Sequence, residues 1–162
     1  NMHTGTHVDA PLHMLPSGTT VDSFNLSKLV TKCIVLDLTQ VTEKITGQDL
    51  AGKGVPKGNF VLLKTRNSFQ EEFDFEFVYL EASGALYLKD MAVAGVGIDA
   101  LGIERNQSDH ITHKILFQAG VVVLEGLRLR DVPEGNYLLC AAPLKIKGAE
   151  AAPTRALLLK ET

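Results

Sequence analysis

His3, His7, Asp9 and His13 fall within the eleven residues His3-Thr4-Gly5-Thr6-His7-Val8-Asp9-Ala10-Pro11-Leu12-His13, and their spacing restricts the fold more than any other feature of the chain. On a helix, at about 100° per residue, Asp9 and His13 would turn away from the face carrying His3 and His7, and Pro11 would break the hydrogen-bond ladder. In extended chain all four share one parity, so a strand, or a strand running into a loop, aims them at one side. Gly5 and Pro11 mark where such a chain bends and where its backbone can approach a ligand. Imidazole nitrogen and carboxylate oxygen suit zinc, manganese or ferrous iron, and histidines crowded together without a cation repel one another once protonated. A lone histidine is more often a hydrogen-bonded structural residue. The cluster is what makes His3, His7 and Asp9 candidate metal ligands.

The remaining 149 residues after His13 must supply a scaffold for that segment. With 162 residues, 45% hydrophobic and 22% charged, the chain is long enough for one substantial core and reads as a single domain over 1–162. A net charge of -3 and sixteen scattered lysines and arginines give no electrostatic reason to expect a nucleic-acid partner. No apolar stretch approaches the roughly 20 residues of a membrane span, and no basic-then-apolar leader opens the chain. The expectation is a soluble, cytoplasmic protein. Cys33 and Cys140 both follow or sit in apolar runs and read as small buried hydrophobes, not as a disulfide framework or a thiol nucleophile. A chain that meets its richest motif at residue 3 is expected to lack an upstream segment.

Strands are expected at Lys32 to Thr39, Asn59 to Lys64, Gly95 to Asp99, Val121 to Glu125, Tyr137 to Ile146 and Thr154 to Leu159, the first of them apolar enough to be buried on both faces. Between them the spacing predicts short capped helices near Asn25 and Thr46, a helix over Leu80 to Ala92, and another capped by Ser108 or Asp109 and running to Gln118. Arg66 to Glu72 reads as a surface loop, followed by an aromatic stretch with Phe73, Phe75 and Phe77. Lys147 to Pro153 reads as a turn region. The order is that of an α/β (α+β) fold, a β-rich mixed core with interspersed helices, without repeats or linkers.

Two further residues are candidates for the same site. His113 lies on the helix ending at Gln118, and Glu125 ends the strand that follows a Gly120 turn, so the two side chains can converge. A carboxylate closing a run of four apolar residues costs several kcal/mol if buried unpaired, although a strand-end glutamate reaching water is an equally ordinary reading. His110 is expected to reach solvent or to support the site from outside, and Asp99 to be a structural acid at a strand end.

The segment His3 to His13 resembles the signature of the cyclase family of metal-dependent hydrolases, which includes kynurenine formamidase (arylformamidase) and isatin hydrolase. Gly95-Val96-Gly97-Ile98-Asp99, His113-Lys114-Ile115-Leu116, Ala119-Gly120, Glu125-Gly126-Leu127, Pro143-Leu144-Lys145-Ile146 and Pro153-Thr154-Arg155-Ala156 resemble family blocks in the family's order. The resemblance implies a swivelling β/β/α domain assembled as a homodimer or homotetramer. It also implies one or two divalent ions per subunit, zinc first and manganese as the alternative. His3, His7 and Asp9 would bind the first ion, Asp9 would bridge to a second held by His113 and Glu125, and His13 would be the catalytic acid and base. For His13 a role as third ligand or supporting donor is the other reading. Lys64-Thr65-Arg66-Asn67-Ser68 departs from a Thr-Gly-Trp-like segment of several members, and the family's N-terminal segment is not seen ahead of the signature.

The function so implied is hydrolysis of a small amide, N-formylkynurenine to kynurenine and formate, by metal-activated water with His13 moving the proton. The alternatives are hydrolysis of a cyclic amide or imide such as an isatin-like substrate, and a metal-binding protein without turnover.

Overall fold

The computed structural model describes residues 2–72 and 74–160. In chain order the strands are β1 (His7–Asp9), β2 (Val30–Asp37), β3 (Lys44–Ile45), β4 (Phe60–Lys64), β5 (Tyr79–Leu80), β6 (Gly95–Ile98), β7 (Val122–Glu125), β8 (Gly135–Cys140), β9 (Ala151–Pro153) and β10 (Leu157–Leu159). The α-helices are α1 (Gly47–Ala51), α2 (Ala82–Asp90) and α3 (Ile111–Gln118). Eight strands form one sheet in the order β10-β8-β2-β4-β6-β7-β1-β9, and β3 pairs with β5 apart from it. The four central strands β2, β4, β6 and β7 run parallel, and both flanks are antiparallel.

Both faces of the parallel centre are buried, which is why its strands are near-continuous apolar runs. On β4, Val61 and Leu63 pack on the helix side with Ile98, Leu88 and Leu116, whereas Phe60 and Leu62 enter a second core. The sheet curls to close that second core, bringing Val8 of β1 and Leu139 of β8 into it together with Leu127 and Leu129. Glycine is forced on β6 by the same crowding. A Cβ at Gly95 would lie 2.1 Å from the Phe60 ring, and one at Gly97 2.7 Å from Leu62. The result is the α+β fold that the sequence implied, a curled, β-rich mixed sheet with few helices.

Local signals were met where side chains act on their own backbone. Thr46 and Asp49 form a reciprocal capping box at α1, and Asn25 accepts from the Ser27 amide at 3.0 Å over a single 3-10 turn, Leu26–Lys28. Other boundaries moved. The Leu80-to-Ala92 helix starts only at Ala82, because Tyr79 and Leu80 pair with Lys44 and Ile45 and Glu81 takes the N-cap. Neither Ser108 nor Asp109 caps α3: Asp109 (φ 60°) and His110 (φ 50°) are left-handed, and the Asp109 carboxylate is taken by Lys114 Nζ at 2.6 Å. The expected Tyr137-to-Ile146 strand stops at Cys140, and of the Thr154-to-Leu159 run only Leu157–Leu159 is strand. Within the expected Lys147-to-Pro153 turn, Ala151–Pro153 forms β9, recruited by the open side of β1.

The Arg66-to-Glu72 segment is not a plain surface loop. Residues Arg66–Phe69 form a 3-10 turn in which Asn67 and Ser68 are buried, because both hydrogen-bond inward. Phe75 is exposed and Phe77 half-buried, while Phe73 lies outside the described residues. Among the described residues no helix is long and apolar enough to cross a membrane.

Candidate metal centre

Strand β1 lies between β7 and β9, and its register sets His7 opposite Glu125 and Asp9 opposite Val123, with Pro153 and Ala151 on the other side. Alternation sends Val8 into the second core, so His7 and Asp9 face the helix side together with Glu125. There α3 contributes His113, whose Nε2 lies 3.3 Å from Glu125 Oε1 and 3.6 Å from Asp9 Oδ2. Upstream, Gly5 (φ +65°) turns the chain so that His3 Nδ1 stands 3.0 Å from Asp9 Oδ1 and 3.3 Å from His7 Nε2. Downstream, Pro11 opens a 3-10 turn that swings the His13 ring to 4.2 Å from the His3 ring and 5.7 Å from the His113 ring. All six side chains singled out from sequence therefore meet in one place. His13 arrives by that turn, not by strand parity.

His7 and Asp9 form the floor with no exposed surface, whereas the His3 and His13 side chains are each 23% exposed at the mouth. The floor is crowded with acceptors. His7 Nδ1 lies 2.8 Å from the Gly5 carbonyl, which can only accept, so Nδ1 carries the hydrogen and Nε2 turns its lone pair inward. That lone pair faces Asp9 Oδ1 at 3.4 Å and Glu125 Oε2 at 3.3 Å. Neither oxygen of Asp9 accepts a hydrogen bond, and His113 Nε2 is likewise buried without one. Lone pairs that converge at such distances require a positive charge between them, either protons or a cation.

The titration behaviour says the same. Burial alone would lower the His113 pKa, but the carboxylates of Asp9, Glu104 and Glu125 outweigh it and push it up to about 11. Burial would raise Asp9, yet the imidazoles of His113 and His3 hold its carboxyl well below the usual range. His3 is raised chiefly by Asp9, and His7 is raised by Glu125 and the Gly5 carbonyl against the effect of burial. Among the described residues two sets of ligand atoms lie within 4.8 Å of one another, His3–Asp9–His13 and His7–Asp9–Glu125. Asp9 belongs to both, as a bridging carboxylate would. The donor set, the imidazoles of His7 and His113 whose Nδ1 atoms face other acceptors and an Asp9 carboxylate without a hydrogen bond, fits a divalent cation.

Comparison with known proteins decides the lineage. The family described as "Putative cyclase" matches residues 1–105. The kynurenine formamidase of Sphingopyxis alaskensis is 35% identical over 159 residues, covering 97% of this chain and 76% of the relative. The chain belongs to the cyclase family. A solved structure described as a "potential metal-dependent hydrolase with cyclase activity" is 54% identical and superposes with a TM-score of 0.96, covering 98% of this chain and 79% of the other. Isatin hydrolase A from Labrenzia aggregata, at 27% identity, superposes with a TM-score of 0.85 over 99% of this chain and 75% of the other. Membership in the cyclase family makes the protein an enzyme of a hydrolase lineage.

Around the centre of this cyclase-family chain stand two acids that sequence reasoning missed. Glu104 accepts from His113 at Nδ1 (2.7 Å) and touches His110 Nδ1 at 3.0 Å; nothing in Ile103-Glu104-Arg105 distinguishes it from a surface acid. Glu150, just ahead of β9, places Oε2 3.3 Å from His13 Nδ1 and Oε1 3.5 Å from His3 Nε2. The outlying candidates fall where expected. His110 is largely exposed, and Asp99 is a buried structural acid that accepts from Thr65, Asn67 and Ser68, its carboxyl raised by burial against those bonds. Burial pushes the Cys33 thiol up to about 12, far from a thiolate nucleophile. Thr6, opposite in parity to His7, donates to the Gly126 carbonyl at 2.7 Å and braces the backbone.

Proposed function

We propose that this protein is a divalent-metal-dependent hydrolase of a small non-peptide amide, with N-formylkynurenine its substrate and kynurenine and formate its products. The observation that carries the reading is Asp9: a fully buried carboxylate with no hydrogen bond, ringed by the imidazoles of His3, His7 and His113. His3, His7 and Asp9 would hold one ion, and Asp9, His113 and Glu125 a second, zinc first and manganese as the alternative. When bound, the ion polarises the scissile carbonyl and lowers the pKa of water toward about 7.

The rest is done by the chain itself. His13 stands at the mouth with Nδ1 against Glu150 Oε2 at 3.3 Å, so its other ring nitrogen is the one available to take a proton from water. It then returns that proton to the departing nitrogen, which leaves poorly unless protonated. A cavity of about 280 Å³ reaches Gly5 and Gly126 and is lined also by Glu71, Asp74, Phe77, Leu101 and Arg128, but by none of the proposed ligands nor by His13, so the choice of substrate rests on the likeness to kynurenine formamidase. The likeness to isatin hydrolase A supports a second reading, ring opening of a cyclic amide by the same residues. The family resemblance extends the proposal to a homodimer or homotetramer acting in the cytoplasm.

His13→Ala is the test. It is expected to keep its metal, measured by elemental analysis, and to lose about 10²- to 10⁴-fold in turnover of N-formylkynurenine. Full turnover with metal bound would reject the proton shuttle. Loss of metal would move His13 among the ligands, as the His3–Asp9–His13 grouping permits. A chain that binds metal but opens neither formamides nor cyclic imides would sink the hydrolase reading.

A further inference from the structure

His113 and Glu125 come from different elements, yet both are held by neighbouring residues of one loop between β6 and α3. The Ile103 amide donates to Glu125 Oε1 at 2.6 Å. The next residue, Glu104, faces His113 Nδ1 with Oε1 at 2.7 Å, and its Oε2 accepts from the Thr112 amide at 3.0 Å. The loop is itself tied to the scaffold, since the Leu80 amide donates to the Ile103 carbonyl at 2.8 Å. The Glu104 side chain is 5% exposed, so its carboxylate has little water to compete with these partners.

We infer that Glu104 is a positioning residue of the metal centre: its carboxylate fixes hydrogen on His113 Nδ1, turns the Nε2 lone pair toward Asp9 and Glu125, and so sets cation affinity at that half of the site. A neutral imidazole carries one hydrogen, and an anionic acceptor at 2.7 Å decides which nitrogen bears it. Without that acceptor the hydrogen can sit on Nε2, and the ring loses the restraint on its rotation. His110 shares the same carboxylate oxygen at 3.0 Å but lies largely in solvent. It steadies Glu104 from outside and is not required. This inference rests on the proposed metal centre.

The experiment titrates the metal-stripped full chain with Co²⁺, whose visible absorption reports ligand geometry, alongside a chromophoric competitor chelator. Wild type, Glu104→Ala, Glu104→Gln and His110→Ala are compared, and circular dichroism checks folding before metal is added. Glu104→Ala is expected to bind Co²⁺ about 10- to 100-fold more weakly with an altered spectrum, Glu104→Gln to recover part of the loss, and His110→Ala to match wild type. If Glu104→Ala fails to fold, Glu104→Gln carries the comparison by the same two readouts. Wild-type affinity and spectrum in every folded Glu104 variant would overturn the role of Glu104 while leaving the metal centre intact. Failure of wild type itself to bind Co²⁺ would overturn both.

Discussion

Two buried aspartates define what this chain asks of its charges. Asp99 is answered by its own scaffold, with Thr65 and Ser68 donating from backbone and side chain at 2.7–3.3 Å. Asp9 is answered only by imidazoles. A group that waits for a cation must hold a proton until one comes, and His113, raised to about 11, holds it through neutral pH. Cation uptake by the metal-free protein is therefore expected to release protons at pH 7–9 and to tighten as pH rises, read by an indicator dye during Zn²⁺ titration; uptake without proton release would contradict it. The stability of the metal-free protein moves the opposite way. Above about 6.5 an unfolded histidine is neutral while folded His113 keeps its proton, so the contribution of His113 is full below that pH and is lost as pH climbs toward about 11. At this scale the sequence was most readable: His3, His7, Asp9 and His13 announce themselves by residue type, although strand parity holds only for His7 and Asp9, and His3 and His13 reach the centre through the turns at Gly5 and Pro11. Glu104 and Glu150 do not, because an acid becomes a partner of histidine only through tertiary contact, and their local sequence is that of any solvated loop.

Between β7 and its following loop, Gly126 sits at φ +68°, where a Cβ would lie 2.3 Å from the Gly5 carbonyl oxygen. That oxygen is the acceptor that fixes the His7 tautomer. Gly126→Ala is accordingly expected to lose about 1–2 kcal/mol to the left-handed backbone alone, and more from displacing Gly5. A lowered urea midpoint together with weaker Co²⁺ binding checks it, and an unchanged midpoint would show that the two backbones do not press together. Elements with a mechanism in their own residues were legible: the Thr46 capping box and the apolar runs of β2, β4 and β7 stand close to where pattern put them. Elements recruited by others were not. Ala151–Pro153 has no strand signature and becomes β9 because β1 offers it an unpaired edge, and Asn67 and Ser68 are drawn inward by Asp99 from what reads as a polar loop.

Taken whole, the molecule joins segments far apart in sequence at the metal centre, since residues 3–13 close against α3, β7 and the segment from Glu150 to Pro153. An ion that ties such distant segments binds the folded chain and not the unfolded one. At a free concentration 100 times its dissociation constant it is expected to add about 2.7 kcal/mol, seen as a higher melting temperature that a chelator reverses. A melting temperature indifferent to chelator would mean that nothing is bound there. A mixed, β-rich core with interspersed helices was foreseeable as a class; the curl of the sheet and the strand order were not, because the placement of β1 at the far side of β7 depends on pairings that no local pattern records. That placement orders events during synthesis. Both neighbours of β1 emerge from the ribosome more than a hundred residues after it, so on a growing chain the pairing of His7 and Asp9 is expected to follow the formation of β2, β4 and β6. Cation capture would then come last, closing one flank of a sheet already formed, and a nascent chain cut short before Ala151 would leave β1 without one of its two neighbours.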